Sequence, residues 1–259
     1  MIAGWEQWRT WLNAGLSFFY PELCQLCREE RAGPGEGFVC GSCASHIRWI
    51  ERPWCERCGM PMAGAITTRF ECGDCQQADL SYGWARASAA VRAGRSSKGD
   101  EKHPDPLLEA IHRYKYQQAF WVEPFLARVL VERAREPLAS TRWDWIVPVP
   151  LHPVKQRERQ FNQAERLSRH LGHAIGVPVH SRLLKRVRFT RTQTQLTRKE
   201  RLANVSGAFE VCSAQGVSGA RILVFDDVFT TGATTNACAR ELMLAGAQEV
   251  CVWTVARGI

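Results

Sequence analysis

Four Cys-x-x-Cys pairs fall within 52 residues near the start of the chain: Cys24/Cys27, Cys40/Cys43, Cys55/Cys58 and Cys72/Cys75. Two thiolates separated by two residues face one ion when the backbone makes a tight knuckle, and two knuckles complete a tetrahedral site. Gly41, Gly59 and Gly73 each follow a cysteine, where a knuckle favours a residue tolerant of positive φ. Sequential pairing predicts one Zn²⁺ on Cys24, Cys27, Cys40 and Cys43 and a second on Cys55, Cys58, Cys72 and Cys75. An interleaved arrangement, first pair with third and second with fourth, stays open. Disulfides and an iron–sulfur cluster are the rivals. Disulfides need an oxidising compartment, and four even pairs suit two tetrahedral zinc sites better than one cluster. All-thiolate ligation leaves no open position for a catalytic water, so the expected role is structural, and metal binding supplies much of the folding free energy of so small a segment.

The other three cysteines, Cys212, Cys238 and Cys251, lie singly near the C-terminus and read as buried core thiols. The 259 residues allow one large domain or two modest ones. The formal charge of +8 favours acidic partners such as phosphates, nucleic acid or a membrane surface. Eight thiolates on two divalent ions carry a net −4, which lowers it to about +4 for the metal-loaded chain. No apolar run reaches the length of about 18–20 residues that a membrane span needs. The opening residues, with Glu6, Arg9 and Asn13 among aromatics, lack the basic start and apolar core of a signal peptide. They read as a short helix, and the expected location is the cytoplasm.

The ribbons are expected to end near residue 77, giving a metal-binding domain over 1–77 and a larger domain over 78–259. Residues 92–106, rich in Gly, Ser and Pro, read as an exposed loop. Two helices are predicted across 107–136, broken at Pro124. From Trp143 onward strands and helices alternate: "WDWIVPVP", a helix from the region of Pro153 to Gly176, "VPVHSRLL" as a strand, "ARILVFDD", a helix from Gly232, and "EVCVWTVAR". This alternation predicts βαβ units and a parallel sheet, with ligands beyond the carboxyl ends of the strands.

The stretch "LVFDDVFTTGAT" lies at such an end. With the strand ending at Phe225, Asp226 and Asp227 project from its tip, where paired carboxylates accept hydrogen bonds from vicinal hydroxyls. Thr230, Thr231, Gly232, Ala233 and Thr234 then open a helix whose amide groups and dipole suit a phosphate. The ligand type is a ribose 5-phosphate. The stretch resembles the 5-phosphoribosyl-1-pyrophosphate signature of type I phosphoribosyltransferases: apolar strand, acidic pair, Thr-Thr-Gly-x-Thr.

Further stretches widen the resemblance to nearly the whole chain. "VPVPLHPVKQRERQFNQ", "RLANVSGAF" and the cysteine ribbons are together similar to the ComF/GntX family, whose members are associated with natural competence and the use of external DNA. Arg157, Arg159, Phe161, Asn162 and Gln163 match one family stretch; Arg201, Asn204, Val205, Gly207, Ala208 and Phe209 match another. Gln160 departs from the family's glycine, which puts a tight turn there in doubt. The resemblance implies an α/β fold, a type I phosphoribosyltransferase-like parallel sheet with flanking helices, preceded by a small N-terminal zinc-ribbon domain with four cysteines to each metal. It implies binding of phosphoribosyl pyrophosphate with Mg²⁺, with transferase activity (the glycosyltransferase class) left undecided. The pyrophosphate side falls to the loop carrying Pro150, Leu151 and His152, with Lys155, Arg157 and Arg159 nearby.

Residues 182–201 hold eight Lys or Arg and one acid, Glu200. Arg186, Arg188 and Arg191 are candidates for a nucleic-acid backbone, with Phe189 placed to stack a base. Trp49 and Trp54 serve either the small-domain core or nucleic acid. The alternative to a phosphoribosyl-ligand protein is therefore a single-stranded DNA-binding or adaptor protein working with helicase or processing proteins of DNA uptake.

Overall fold

The computed structural model describes residues 22–64, 68–92, 105–188, 205 and 207–259. The expected N-terminal helix, most of the 92–106 loop, Phe189, Arg191 and Arg201 to Asn204 lie outside them. The elements are α1 (Gly41–Ser45), β1 (Arg48–Trp49), α2 (Gly73–Gln76), β2 (Ala85–Val91), α3 (Pro106–Gln117), α4 (Glu123–Ala139), β3 (Trp145–Pro148), α5 (Pro153–Arg159), α6 (Gln163–Ile175), β4 (Leu184–Arg186), β5 (Phe209–Val211), β6 (Arg221–Phe229), α7 (Ala233–Leu244) and β7 (Glu249–Gly258).

Five strands form one sheet in the order β1-β2-β7-β6-β3. β2, β7, β6 and β3 pair in parallel, and β1 closes one edge antiparallel. Side-chain alternation sends Leu223 and Phe225 of β6 to one face, with Leu107, Phe125, Leu130 and Leu167 of α3, α4 and α6. Ile222 and Val224 go to the other face, with Cys238, Ala239 and Leu242 of α7. Both faces are thus covered by helices, which explains the near-continuous apolar runs of β6 and β7. This is the parallel α/β architecture expected from the sequence. β1, from residues 48–49, is an edge strand of the sheet that the rest of the chain builds.

Several boundaries differ from expectation. β6 does not end at Phe225: it continues to Phe229 because β7 continues beside it, pairing Phe229 with Arg257. β3 stops at Pro148, opposite Phe225. Asp226 and Asp227 therefore belong to the strand, at the point where the sheet loses its outer neighbour. The predicted helix after Pro153 is two helices, because Gln160 adopts φ 63° as the C-cap of α5 and Asn162 restarts the chain by accepting from the Ala164 N–H at 3.0 Å. The turn that the family makes with glycine is made here by glutamine. "VPVHSRLL" yields one bridge, Val179 to Ile146, and then the separate hairpin β4–β5. Pro124 opens α4, its ring filling a first-turn position whose N–H has no intrahelical partner.

Candidate functional site

The eight paired cysteines form two groups, Cys24, Cys27, Cys40 and Cys43, and Cys55, Cys58, Cys72 and Cys75, with the Sγ atoms of each group within 4.8 Å of one another. The pairing is sequential, and the interleaved alternative is excluded. The two ribbons repeat one hydrogen-bond pattern. Cys24 Sγ accepts from the Cys40 N–H at 3.4 Å, and Cys55 Sγ accepts from the Cys72 N–H at 3.3 Å. Arg28 N–H donates to the Cys24 carbonyl and Gly59 N–H to the Cys55 carbonyl, both at 2.8 Å. Arg28 (φ 62°) and Gly59 (φ 69°) supply the left-handed turn of each first knuckle. Gly41 and Gly73 instead start the short helices α1 and α2, where positive φ is not needed. A Cβ at Gly59 would lie 2.6 Å from the Ala85 carbonyl, so this glycine also permits close approach to the sheet.

Burial opposes ionisation of Cys24, but N–H donors from Cys40, Cys27 and Leu26 outweigh it and bring the thiol down to about 7. Four convergent sulfurs with amide donors to them fit a tetrahedral divalent ion of the zinc type. The two groups fit two structural Zn²⁺ ions. The first ribbon packs on α3 and α4: Arg113 donates to the Gln25 carbonyl at 2.6 Å, and Phe38 meets Trp121 edge-on at 6.2 Å. The second packs on β2, β7 and α7. Trp49 lies in the edge strand β1 under Arg133, and Trp54 packs with Ile50, Ala87 and Ala90, with Arg52 and Arg86 over its ring at 4.8 and 5.2 Å.

Near the carboxyl end of β6, Asp227 is buried and Asp226 half-buried. The Asp227 N–H donates to Asp226 Oδ1 at 2.9 Å. Lys115 of α3 forms an ion pair with Asp227 Oδ2. Burial and the adjacent Asp227 charge push Asp226 well above the usual carboxylate range. Burial also opposes ionisation of Asp227, but Lys115 outweighs it and holds that carboxyl low. The two carboxyls are thus driven apart, with Asp227 the more acidic of the pair. Asp227 meets a cavity of about 160 Å³ through Lys115, which lines it with Tyr116, Gln118, Lys155, Glu158 and Arg159.

Gly232 caps α7 at φ 75°, and a Cβ there would lie 2.5 Å from the Phe229 ring, so glycine is required twice over. Thr231 Oγ1 accepts from the Ala233 N–H at 3.4 Å, and Thr235 Oγ1 donates to the Gly232 carbonyl at 3.1 Å. Thr230 and Thr234 flank this turn. Across the sheet end, His152 caps α5 by accepting from the Val154 N–H at 3.3 Å. A second cavity, of about 270 Å³, brings Pro150 and Leu151 together with Arg182, Lys185, Arg186 and Cys212. Cys212 is exposed rather than buried, because it follows the two-stranded hairpin outside the main sheet; Cys238 and Cys251 are in the core as expected.

Comparison with known proteins places these features. Residues 15–76 match the family described as the double zinc ribbon domain. The chain is 31% identical over 243 residues to competence protein F of Haemophilus influenzae, covering 92% of this chain and 98% of that protein. It is 32% identical over 240 residues to DNA utilization protein YhgH of Salmonella typhimurium, covering 92% and 97%. The chain belongs to the ComF family. Another relative, competence protein ComFC of Streptococcus pneumoniae, is 28% identical and covers 85% of this chain and 87% of that one. Among solved structures, the glutamine phosphoribosylpyrophosphate amidotransferase of B. subtilis overlaps 49% of this chain at 22% identity with a TM-score of 0.31; the chain spans 24% of that enzyme.

In this ComF-family chain some of the ligand-site residues named from sequence follow the ends of β3 and β6. Asp226, Asp227 and the Thr230–Thr234 turn are contiguous, and Arg159 reaches the Lys115 cavity. Pro150, Leu151 and Arg186 meet at the second cavity. Arg186 stacks over Phe209 at 5.3 Å, and Arg188 lies beside Gly207. Arg157 lines neither cavity. Lys115 was not legible: it comes from "IHRYKYQQ", more than a hundred residues before the acids, with no spacing signal. Arg257 was missed too, although a lone cation ending the apolar run "VCVWTVAR" is a signal that a buried charge partner lies nearby.

Proposed function

We propose that this protein binds phosphoribosyl pyrophosphate or a related ribose phosphate, in a role connected with the use of external DNA. The observation that carries the reading is the unit Asp226-Asp227 followed by Thr230–Thr234 at the end of β6, beside strand β3, which stops short. The acids accept from the 2- and 3-hydroxyls of the ribose; the turn and the first amides of α7 receive its 5-phosphate. Lys115 and Arg159, with the Pro150-Leu151-His152 loop across from them, supply the cationic side for the diphosphate, whose oxygens would bring Mg²⁺. The relatives named for competence and DNA utilization give the process. Residues 1–77 and 78–259 then act as a metal-ribbon module and a ligand-binding module. A location in the cytoplasm fits phosphoribosyl pyrophosphate as ligand; no helix among the described residues is long and apolar enough to cross a membrane.

Calorimetry with phosphoribosyl pyrophosphate and Mg²⁺ tests the reading. The wild-type chain is expected to bind, and Asp226→Asn with Asp227→Asn to abolish binding while circular dichroism stays native. Equal affinity in the two proteins would refute the assigned pocket.

A second reading, single-stranded DNA binding or an adaptor role without transferase activity, is favoured by one observation. Arg182, Lys185 and Arg186 line the cavity beside Leu151. Cations along a groove give an affinity that falls steeply with salt. A flat salt response for an oligonucleotide, or no effect of Arg182→Ala with Lys185→Ala, would discard it.

A further inference from the structure

The second four-cysteine group reaches the Thr230–Thr234 turn through a chain of direct contacts. Arg257, at the end of β7, is only 4% exposed. Its Nη1 donates to the Cys58 carbonyl at 2.5 Å and its Nη2 to Cys58 Sγ at 3.5 Å. The same guanidinium lies over the Phe229 ring at 4.7 Å. Phe229 is the last residue of β6, and its ring occupies the space where a Cβ on Gly232 would stand. The seat of that ring therefore sets how the chain turns at Gly232, the cap of α7. A second tie runs alongside: Asn236, in the first turns of α7, accepts from the Ser81 N–H at 2.7 Å and donates to the Asp79 carbonyl at 2.9 Å, just after the last ribbon cysteine.

A buried guanidinium needs a counter-charge. Among the described residues no carboxylate forms an ion pair with Arg257. Four thiolates on one divalent zinc ion carry a net charge of −2, so the metal-loaded group supplies it. An N–H donor to a zinc-bound sulfur is the kind of contact that tunes and holds such a site.

We propose that Arg257 is a positioning residue that couples metal occupancy of the Cys55–Cys58–Cys72–Cys75 group to the geometry of the Thr230–Thr234 turn. The coupling concerns the turn itself; its consequence for ligand affinity rests on the ribose-phosphate reading above. Loss of this metal releases the knuckle that presents the Cys58 carbonyl and sulfur to Arg257, and so frees Phe229 and loosens the turn. By reciprocity, whatever rigidifies the turn strengthens the binding of this metal and not of the other. Among the described residues, the first four-cysteine group is seated on α3 and α4 and makes no hydrogen bond or ring contact with Arg257, Phe229 or the turn.

The test uses the full zinc-loaded chain and two readouts that need no ligand. Hydrogen exchange of the amides from Phe229 to Asn236 is compared in wild type, Arg257→Lys, Cys72→Ser and Cys27→Ser. Zinc release to a chromogenic chelator is followed in the same proteins. Arg257→Lys keeps the charge and should preserve folding, but it loses the planar contact with both Cys58 and Phe229. Exchange at the turn is expected to rise about 10-fold in Arg257→Lys and in Cys72→Ser, within the usual range of coupling strengths, and to stay unchanged in Cys27→Ser. Arg257→Lys should also speed the release of one of the two ions. Wild-type exchange at the turn in Arg257→Lys, or equal acceleration of both ions, overturns the proposal. Calorimetry with phosphoribosyl pyrophosphate is a separate arm. A wild-type chain that does not bind it overturns the functional reading; binding that is equal in wild type and Arg257→Lys overturns the coupling of metal to ligand.

Discussion

Lys115 and Asp227 form an ion pair between the C-terminal turn of α3 and the end of β6, with the lysine largely covered and the aspartate buried. The helix that carries Lys115 also carries Arg113, which anchors the first ribbon. One helix thus holds a metal module on one side and neutralises the acid of the candidate ligand site on the other. A ribose diol reaching Asp227 must share or displace this ammonium, which also faces the cavity that Arg159 and Lys155 line.

The ion pair has a measurable consequence. Lys115→Met leaves Asp227 buried without its partner, which costs on the order of 3 kcal/mol. Removing both charges, with Lys115→Met and Asp227→Leu together, should recover most of that loss. Urea unfolding of the two single variants and the double variant checks this. A double variant that is as unstable as the sum of the singles would show that the pair contributes no coupling.

A second expectation concerns pH. Glu123, at the start of α4, accepts from Tyr114 Oη at 2.6 Å and Arg166 Nε at 2.7 Å and pairs with His170 Nε2 at 2.8 Å. Burial raises its pKa, but the hydrogen bonds from His170, Arg166 and Tyr114 outweigh this and hold it at about 2, against an ordinary value of 4.5. A depressed carboxylate stabilises the fold above its unfolded pKa and loses that contribution as pH falls through the folded one. Glu123→Gln should therefore cost on the order of 2 kcal/mol at neutral pH, a value reduced because Arg166 and His170 are half exposed and screened. The gap between wild type and variant should narrow as pH falls from 4.5 towards 2. A gap constant over that range would assign the stabilisation to packing instead.

How much of this was legible in the sequence depends on how local each signal is. The ribbons were, because all eight ligands lie in short knuckles with fixed spacing, and the sequential pairing needed only neighbouring knuckles to meet. The parallel sheet was legible from apolar runs alternating with amphipathic helices. The end of β6 was not: a strand's length is set by its neighbour, and β7 carries β6 past the acids to Phe229. Lys115, Glu123 and Arg257 act through partners 9 to 199 residues away, and no local period encodes such contacts. Only the burial of a charge in an apolar run hints at them.

Gln160 gives a third expectation. It stands at φ 63° between α5 and α6, where a side chain is strained and glycine is not. Gln160→Gly should stabilise the protein by on the order of 1 kcal/mol, the usual cost of a left-handed backbone for a residue with a Cβ. Gln160→Ala, which keeps the Cβ, should not. Thermal denaturation of the two variants separates the effects. If alanine stabilises as much as glycine, the strain lies in the glutamine side chain and not in the backbone.

The metal groups give the last expectation. Elemental analysis of the purified chain should find about two zinc ions, one for each tetrahedral thiolate set. Cys24→Ser and Cys55→Ser should each bring the content to about one, since loss of one ligand empties its own group and the other group shares no sulfur with it. The two variants should also fail differently. Cys24→Ser loosens the contact of the first ribbon with α3 and α4, whereas Cys55→Ser loosens the second ribbon where Arg86 donates to the Cys55 and Glu56 carbonyls at 3.4 and 3.0 Å. Limited proteolysis reports this as cleavage that begins within residues 22–47 in the first variant and within 51–80 in the second. Metal content unaffected by either substitution, or thiols found oxidised in pairs in the untreated protein, would remove zinc from both sites.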